Sequence, residues 1–158
     1  MRIGFGYDIH PLQEGYDLII GGVTIPHTKG SAGHSDADAL IHAICDALLG
    51  AACLGDIGTH FPDSSPEYKG IDSKILLGKV RDLVEREGYT IINLDTTICL
   101  ETPRITPYVN GMKEALSKVL KINQNCISIK ATTNEKMGFV GREEGIAAYA
   151  VTLIDSLS

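Results

Sequence analysis

Asp8 and His10 stand two residues apart, and a third metal-binding side chain, His42, follows on a later segment. In an extended strand successive side chains alternate between faces, so Asp8 and His10 project to one side and Ile9 to the other. His42 lies in a stretch with helical signals: Ser35 as N-cap, Asp38 three residues on as the acidic half of a capping box, and Asp36 in the first turn. At about 100° per residue, Leu40, Ile44, Ala47, Leu48 and Ala51 form one stripe, and Asp38, His42 and Asp46 form the opposite one. One carboxylate oxygen and two imidazoles fill three corners of a tetrahedron and leave the fourth open, the arrangement of catalytic rather than structural zinc. Asp38 or Asp46 is placed to orient His42 from behind. The same residues also fit a plainer reading, a capped helix with a solvent-exposed histidine beside a strand with an unrelated Asp-x-His, because that tripeptide is short and common.

A second chemical stretch is Lys130-Ala131-Thr132-Thr133-Asn134-Glu135-Lys136-Met137-Gly138-Phe139-Val140-Gly141-Arg142, directly after an expected strand. Hydroxyls and free N–H groups at a strand end can hold phosphate oxygens. Glu135 is a hard carboxylate suited to a magnesium ion that also takes substrate phosphate oxygens. No P-loop spacing is present, which from the residues alone favours a glycine-containing turn with a salt-bridged surface.

The elements that must position these groups follow from periodicity. Arg2 to His10 reads as a strand, and Leu18 to Pro26 as two short strands around Gly21-Gly22. Asp56 to Lys69 has the Gly, Pro, Asp and Ser content of an irregular loop. Asp72 caps a helix running to about Glu87, with Ile75, Leu76, Val80, Leu83 and Val84 on one face and Gly88 ending it. Tyr89 to Leu100 alternates as a strand, Tyr108 to Leu120 carries a helical stripe, and Cys126 to Ala131 returns as a strand. From Gly145 to Leu157, Ala147, Ala148 and Ala150 suit a helix while Tyr149, Val151, Thr152 and Ile154 suit a strand, and strand is the assignment made. With 158 residues and no repeat or linker, the expected fold class is α/β (α+β): a single domain over 1–158, a mixed sheet with helices on one face.

Composition narrows the function. Fourteen basic against twenty acidic residues give a net charge of −6 without a basic run, which argues against nucleic acid or an anionic membrane as partner. An anionic small substrate would need local neutralisation by metal, backbone N–H groups and a few cations. A hydrophobic content of 44% with no apolar run of transmembrane length, and a start directly into a strand, lead to an expectation of a cytoplasmic protein. Cys45, Cys53, Cys99 and Cys126 form no C-x-x-C pair and are expected as buried free thiols.

Together these stretches resemble the 2-C-methyl-D-erythritol 2,4-cyclodiphosphate synthase family over the whole chain. The markers are Gly4-Phe5-Gly6-Tyr7-Asp8-Ile9-His10, His34-Ser35-Asp36-Ala37-Asp38, Asp46-Ala47-Leu48-Leu49-Gly50-Ala51, Gly55-Asp56-Ile57-Gly58, Phe61-Pro62-Asp63, and Lys130-Ala131-Thr132-Thr133 leading to Glu135 and Gly138-Phe139. The resemblance implies a homotrimer with sheets gathered around the axis and active sites between neighbours. It implies a phosphorus–oxygen lyase of non-mevalonate isoprenoid biosynthesis that converts 4-diphosphocytidyl-2-C-methyl-D-erythritol 2-phosphate to the cyclic diphosphate and releases CMP. Zinc would be held at Asp8, His10 and His42, and magnesium or manganese at Glu135, with His34 and Thr133 stabilising the transition state. Substrate contacts are implied at Asp8, Ile9, His10, His34 and Ser35, and in the loop at Asp56, Ile57, Gly58, Phe61, Pro62, Asp63, Ser64 and Ser65. Leu100, Glu101, Thr102, Pro103, Arg104, Ile105 and Thr106 correspond to a cytidine pocket given by a neighbouring subunit, with Thr132, Thr133, Asn134 and Glu135 beside it. Phe139 and Arg142 match residues near an axial cavity that takes an isoprenoid diphosphate.

The chain departs from the family pattern at Arg104, where Lys is common, at Leu100, where a smaller residue is common, and at Asn134, where a third Thr is common. Arg104 keeps the charge with a different geometry. Two other classes fit the same residues: a zinc-dependent phosphohydrolase, and a catalytically silent trimer that binds nucleotide or isoprenoid diphosphates.

Overall fold

Strand β1 covers Arg2–Glu14 and so runs beyond the expected end at His10. In the computed structural model, which describes residues 1–62 and 64–157, this extension changes partners partway. Pro11, which has no N–H to give, lies opposite Gly145 at the last rung of one ladder, and from Leu12 to Glu14 the strand pairs with β4 (Lys29–Ser31). Between them, β2 (Leu18–Ile20) and β3 (Val23–Ile25) form the expected hairpin. Its turn is Gly21-Gly22, both at positive φ (59° and 76°), which glycine adopts without steric cost.

The ambiguous tail is a strand, β7 (Gly145–Ser156), and it is the middle of five. The order is β4-β1-β7-β5-β6, where β5 is Tyr89–Cys99 and β6 is Ile127–Thr132. β5 and β6 run parallel and the other pairs antiparallel, giving a mixed sheet. A central strand bonds on both edges, and that pairing outweighs the helical preference of its alanines. Those alanines have a further use, because Gly4, Gly6 and Asp8 of β1 stand opposite Thr152, Ala150 and Ala148 of β7. The face they share is lined by small side chains, and helix α1 (Ala39–Ala51) lies on it.

The approach of α1 to β1 is close enough to exclude side chains. A Cβ placed on Gly4 would sit 1.9 Å from the carbonyl oxygen of Ala47, and one on Gly6 would sit 1.9 Å from that of Ala43. Two residues along the strand match four along the helix, and Asp8, two further along β1, has its carboxylate 3.0 Å from His42, the residue before Ala43. Around α1 the core is completed by α3 (Ser73–Arg86) and α4 (Val109–Leu120), through Leu77, Val80, Val84, Met112 and Leu116. Of the helix's residues, only His42, Asp46 and Gly50 escape burial, one residue per turn, so the single stripe expected from periodicity understates how enclosed α1 is.

The opposite face of β1 and the middle of β7 is apolar and open. Ile3, Phe5, Tyr7 and Ile9, with Tyr149 and Val151 opposite Tyr7 and Phe5, are all exposed there, and the Tyr7 and Tyr149 rings lie 5.0 Å apart.

Local differences from expectation have physical causes. α1 begins at Ala39 rather than after Ser35, because Asp38 is the N-cap and accepts from the Ile41 N–H at 3.0 Å. The same carboxylate accepts from the N–H groups of Gly21 (2.9 Å) and Gly22 (2.7 Å), partners from a distant hairpin. The loop at 56–69 is not wholly irregular: α2 (Ile57–His60) is capped by Asp56, and Pro66–Tyr68 form a 3-10 turn. Helix α3 starts after the expected Asp72 cap, and Gly88 (φ 82°) follows its end. A short helix, α5 (Gly138–Gly141), lies in the stretch read as a turn. All four cysteines are free, but only Cys45 is buried; Cys53 is exposed and Cys99 and Cys126 are half-buried. Among the described residues no helix is long and apolar enough to cross a membrane.

Candidate active site

β1 presents Asp8 and His10 on its helix side and α1 presents His42 toward them. Asp8 Oδ2 lies 2.9 Å from His10 Nε2 and 3.0 Å from His42 Nδ1, and the two ring nitrogens are 3.1 Å apart. Ligands about 2.0–2.2 Å from a tetrahedral zinc stand roughly 3.3 Å from one another. The observed triangle therefore fits one face of such a tetrahedron with small adjustment, and one carboxylate with two imidazoles is a donor set zinc accepts. The three side chains are 25%, 16% and 12% exposed for Asp8, His10 and His42, so the open side faces a pocket rather than bulk solvent.

Electrostatics bind the three into a unit. Burial pushes the Asp8 carboxyl up, but hydrogen bonds from His10 and His42 and their charge outweigh it and hold it at about 2. For His42 burial pulls down, and the hydrogen bond and charge of Asp8 raise it above its ordinary value.

Neither carboxylate expected behind His42 is there. Asp38 is fully buried and committed to three backbone N–H groups; burial raises it, those bonds lower it, and it settles at about 6. Asp46 accepts from the Ile57 N–H at 2.8 Å and so anchors α2 to α1. What stands behind His42 is hydroxyl: Nε2 lies 2.9 Å from Ser73 Oγ and 3.1 Å from Ser35 Oγ. Ser73 carried no signal in the sequence, since its role depends on α3 arriving beside α1.

A cavity of about 180 Å³ opens over the triad, and of the expected site residues His34, Ser35, Ile57, Gly58 and Phe61 join Asp8, His10 and His42 in lining it. Tyr68 and Leu76 also line it and were not foreseen, and Asp46, expected behind His42, lines it too. Tyr68 meets Phe61 edge-on with rings 5.4 Å apart, which builds an aromatic wall from two points of the loop. Nε2 of His34 is buried and finds no hydrogen-bond partner among the described residues.

The remaining expected residues are elsewhere. Leu100, Glu101, Pro103, Arg104, Ile105, Thr106, Thr132 and Thr133, with Ala131, line a second cavity of about 190 Å³. Asn134 joins its two walls, its N–H donating to Glu101 Oε2 at 3.1 Å. Glu135 is exposed beside it, 3.3 Å from the Thr133 hydroxyl. Within one chain, then, His34 and Thr133 line different pockets. The Ile9 side chain is on the far, apolar face of β1, as strand alternation requires. Asp56 turns to Thr59, accepting from its N–H (2.8 Å) and hydroxyl (2.7 Å). Pro62, Ser64, Ser65 and Thr102 line neither cavity, and Asp63 lies outside the described residues. Phe139 packs near Gly145, while Arg142 is engaged by Glu144 through two bonds of 3.0 Å.

Comparison with known proteins gives one consistent family. Residues 1–155 match the YgbB family. A 2-C-methyl-D-erythritol 2,4-cyclodiphosphate synthase of Porphyromonas gingivalis is 60% identical over 153 residues, 97% of this chain and 94% of that protein. Among solved structures, the bifunctional IspDF of Campylobacter jejuni superposes with a TM-score of 0.95 at 37% identity, over 98% of this chain and 42% of that one. A CDP-bound 2-C-methyl-D-erythritol 2,4-cyclodiphosphate synthase superposes with a TM-score of 0.90 at 36% identity, over 98% of this chain and all (100%) of that one.

Proposed function

Because this chain belongs to the YgbB family, the 2-C-methyl-D-erythritol 2,4-cyclodiphosphate synthases of non-mevalonate isoprenoid biosynthesis, we propose that its two pockets are the two ends of one cyclisation site. The activity is that of a phosphorus–oxygen lyase. The substrate on this reading is 4-diphosphocytidyl-2-C-methyl-D-erythritol 2-phosphate, whose 2-phosphate attacks the β-phosphorus and expels CMP. The observation that carries it is the convergence of Asp8, His10 and His42 at the floor of a pocket walled by His34, Ser35, Gly58 and Phe61.

A phosphate nucleophile is already ionised at neutral pH, so the chain has to align and neutralise rather than deprotonate. When bound, zinc at Asp8, His10 and His42 and magnesium or manganese at Glu135 would polarise the phosphates and neutralise the leaving CMP. His34 and Ser35 hold the β-phosphate end against the triad, while Ile57, Gly58 and Phe61 cover the methylerythritol portion and exclude water. The cavity from Leu100 to Thr106 takes the cytidine, a role supported by the CDP-bound relative of the same fold. Thr132 and Thr133 offer hydroxyls and N–H groups to the diphosphate between.

Both ends can act on one substrate if the second pocket comes from a neighbouring chain, and we place that neighbour on the exposed apolar face formed by Ile3, Phe5, Tyr7, Ile9, Tyr149 and Val151. An antiparallel sheet face left to water is ordinarily polar, and a contiguous apolar one marks an interface. Three copies gathered by these faces would make a trimer. Light scattering should then give three times the 17.0 kDa chain mass; a monomer with full activity would contradict the shared site. Four unpaired cysteines suit a reducing cytoplasm.

Thr133→Val tests the reaction and the residue together, with CMP release as the assay. The wild type should release one CMP per substrate consumed. Loss of the hydroxyl should lower kcat on the order of 10²-fold with KM nearly unchanged, as for a donor used mainly in the transition state. No CMP from the wild type would refute the function, whereas an unchanged kcat in the variant would remove only Thr133 from it.

A further inference from the structure

We infer that Ser73 and Asp36 are positioning residues that fix which nitrogen of His42 is free to bind metal. The inference rests on the reading of Asp8, His10 and His42 as ligands. Ser73 is the first residue of α3 and is wholly buried. Its hydroxyl makes a hydrogen bond to Asp36 Oδ1 and lies 2.9 Å from His42 Nε2. An ionised carboxylate can only accept, so the one hydroxyl hydrogen is directed to Asp36. The serine oxygen then offers only lone pairs to His42, and Nε2 must supply the hydrogen of that bond. A neutral imidazole carries one N–H, which leaves Nδ1 with its lone pair bare. Nδ1 is the nitrogen that stands 3.0 Å from Asp8 Oδ2 and 3.1 Å from His10 Nε2. The direction of a single O–H thus selects the ligating tautomer.

Asp36 is itself held in place. Oδ2 accepts from the Ser73 N–H at 3.0 Å and Oδ1 from the Asp38 N–H at 3.3 Å. Its own N–H donates to the Ile71 carbonyl at 3.2 Å, and the Gly70 N–H donates to the His34 carbonyl at 2.8 Å. The segment before α1 and the segment before α3 are therefore stitched together where His42 needs support. The Ser73 hydroxyl is not required to start its own helix, because Asp72 is the N-cap and accepts from the Lys74 N–H at 2.8 Å. The Ser35 hydroxyl makes the longer contact to Nε2 and accepts from the Ala37 N–H at 3.3 Å; its hydrogen is not directed to Asp36 as that of Ser73 is, so it can accept from Nε2–H beside Ser73 but does not select the tautomer.

Zinc affinity of the full chain, measured by competition with a chromophoric chelator, tests the assignment in Ser73→Ala and Asp36→Asn. Ser73→Ala removes the acceptor for Nε2–H. In Asp36→Asn the side-chain amide can donate to Ser73 Oγ, which turns the hydroxyl hydrogen toward Nε2 and moves the imidazole hydrogen to Nδ1. Each variant should bind zinc about 10–100-fold more weakly than the wild type. In zinc-loaded wild type with ¹⁵N-labelled histidine, His42 should show a slowly exchanging Nε2–H signal that becomes fast-exchanging in Ser73→Ala. Zinc affinity unchanged in both variants overturns the inference, even if the metal-free variants melt earlier, since that pattern describes packing alone. A wild type that takes up no zinc removes the metal reading and this one together, a result distinct from normal wild-type binding with unaffected variants.

Discussion

Replacing His42 with alanine should strip most of the zinc from a correctly folded chain and lower kcat/KM by about 10³-fold or more, since a metal supplies several kcal/mol of charge stabilisation. Asp8 and His10 remain 2.9 Å apart on β1, but two ligands do not hold a catalytic zinc. Metal analysis with circular dichroism separates site loss from unfolding, and undiminished zinc in the folded variant would refute the ligand set. The pH dependence of the same site has a definite sign. Asp8 is held at about 2, below its ordinary 3.8, so its contribution to the metal-free fold is present above 3.8 and is lost as pH falls through 2. His42 is raised above 6.5, so its contribution is present below 6.5 and is lost as pH rises through the folded value. Metal binding runs the other way in the histidine range, because protons compete for the ring nitrogens. The rise in Tm on adding zinc should therefore be larger at pH 8 than at pH 5.5.

Gly6→Ala should be among the most damaging single-methyl additions to this chain. Its Cβ would stand 1.9 Å from the Ala43 oxygen and 2.7 Å from the Ala47 nitrogen. Both are backbone atoms of α1, so no rotamer change relieves the clash and the helix has to lift from the sheet. Overpacking that side chains can absorb costs about 1–3 kcal/mol; here about 3 kcal/mol or more is expected, a Tm fall on the order of 10 °C for a chain of this size. His42 precedes Ala43 on the same helix, so zinc affinity should fall with stability. Gly50→Ala is the control: it lies in α1 with nothing near its Cβ direction, and the change should be neutral or stabilising by about 0.5–1 kcal/mol. A Gly6→Ala protein with wild-type Tm and zinc affinity would contradict the packing described for β1 and α1.

These two residues also show what a sequence can disclose. Asp8, His10 and His42 were legible because strand and helix periods are local rules, and the hairpin at Gly21-Gly22 and the Asp72 cap were legible for the same reason. The N-cap of α1 was not. Ser35 satisfies the local pattern, but Asp38 also gains Gly21 and Gly22 N–H groups, and no local window contains them. The support behind His42 was missed likewise, since Asp38 and Asp46 share its helix face while Ser73 and Asp36 reach it only through tertiary contacts. The close approach of Gly4 and Gly6 to α1 gives the Gly-x-Gly before Asp-x-His its physical meaning, which spacing alone did not carry.

The most direct measurement is ³¹P NMR of the purified protein incubated with 4-diphosphocytidyl-2-C-methyl-D-erythritol 2-phosphate and magnesium. Two mutually coupled phosphorus signals of a cyclic diphosphate should grow in as the substrate signals decay, with CMP appearing in equal amount. Linear phosphates instead would indicate a hydrolase in which water rather than the 2-phosphate attacks, and a substrate spectrum unchanged over hours with zinc bound would indicate a binding protein; either result would contradict cyclisation at this site.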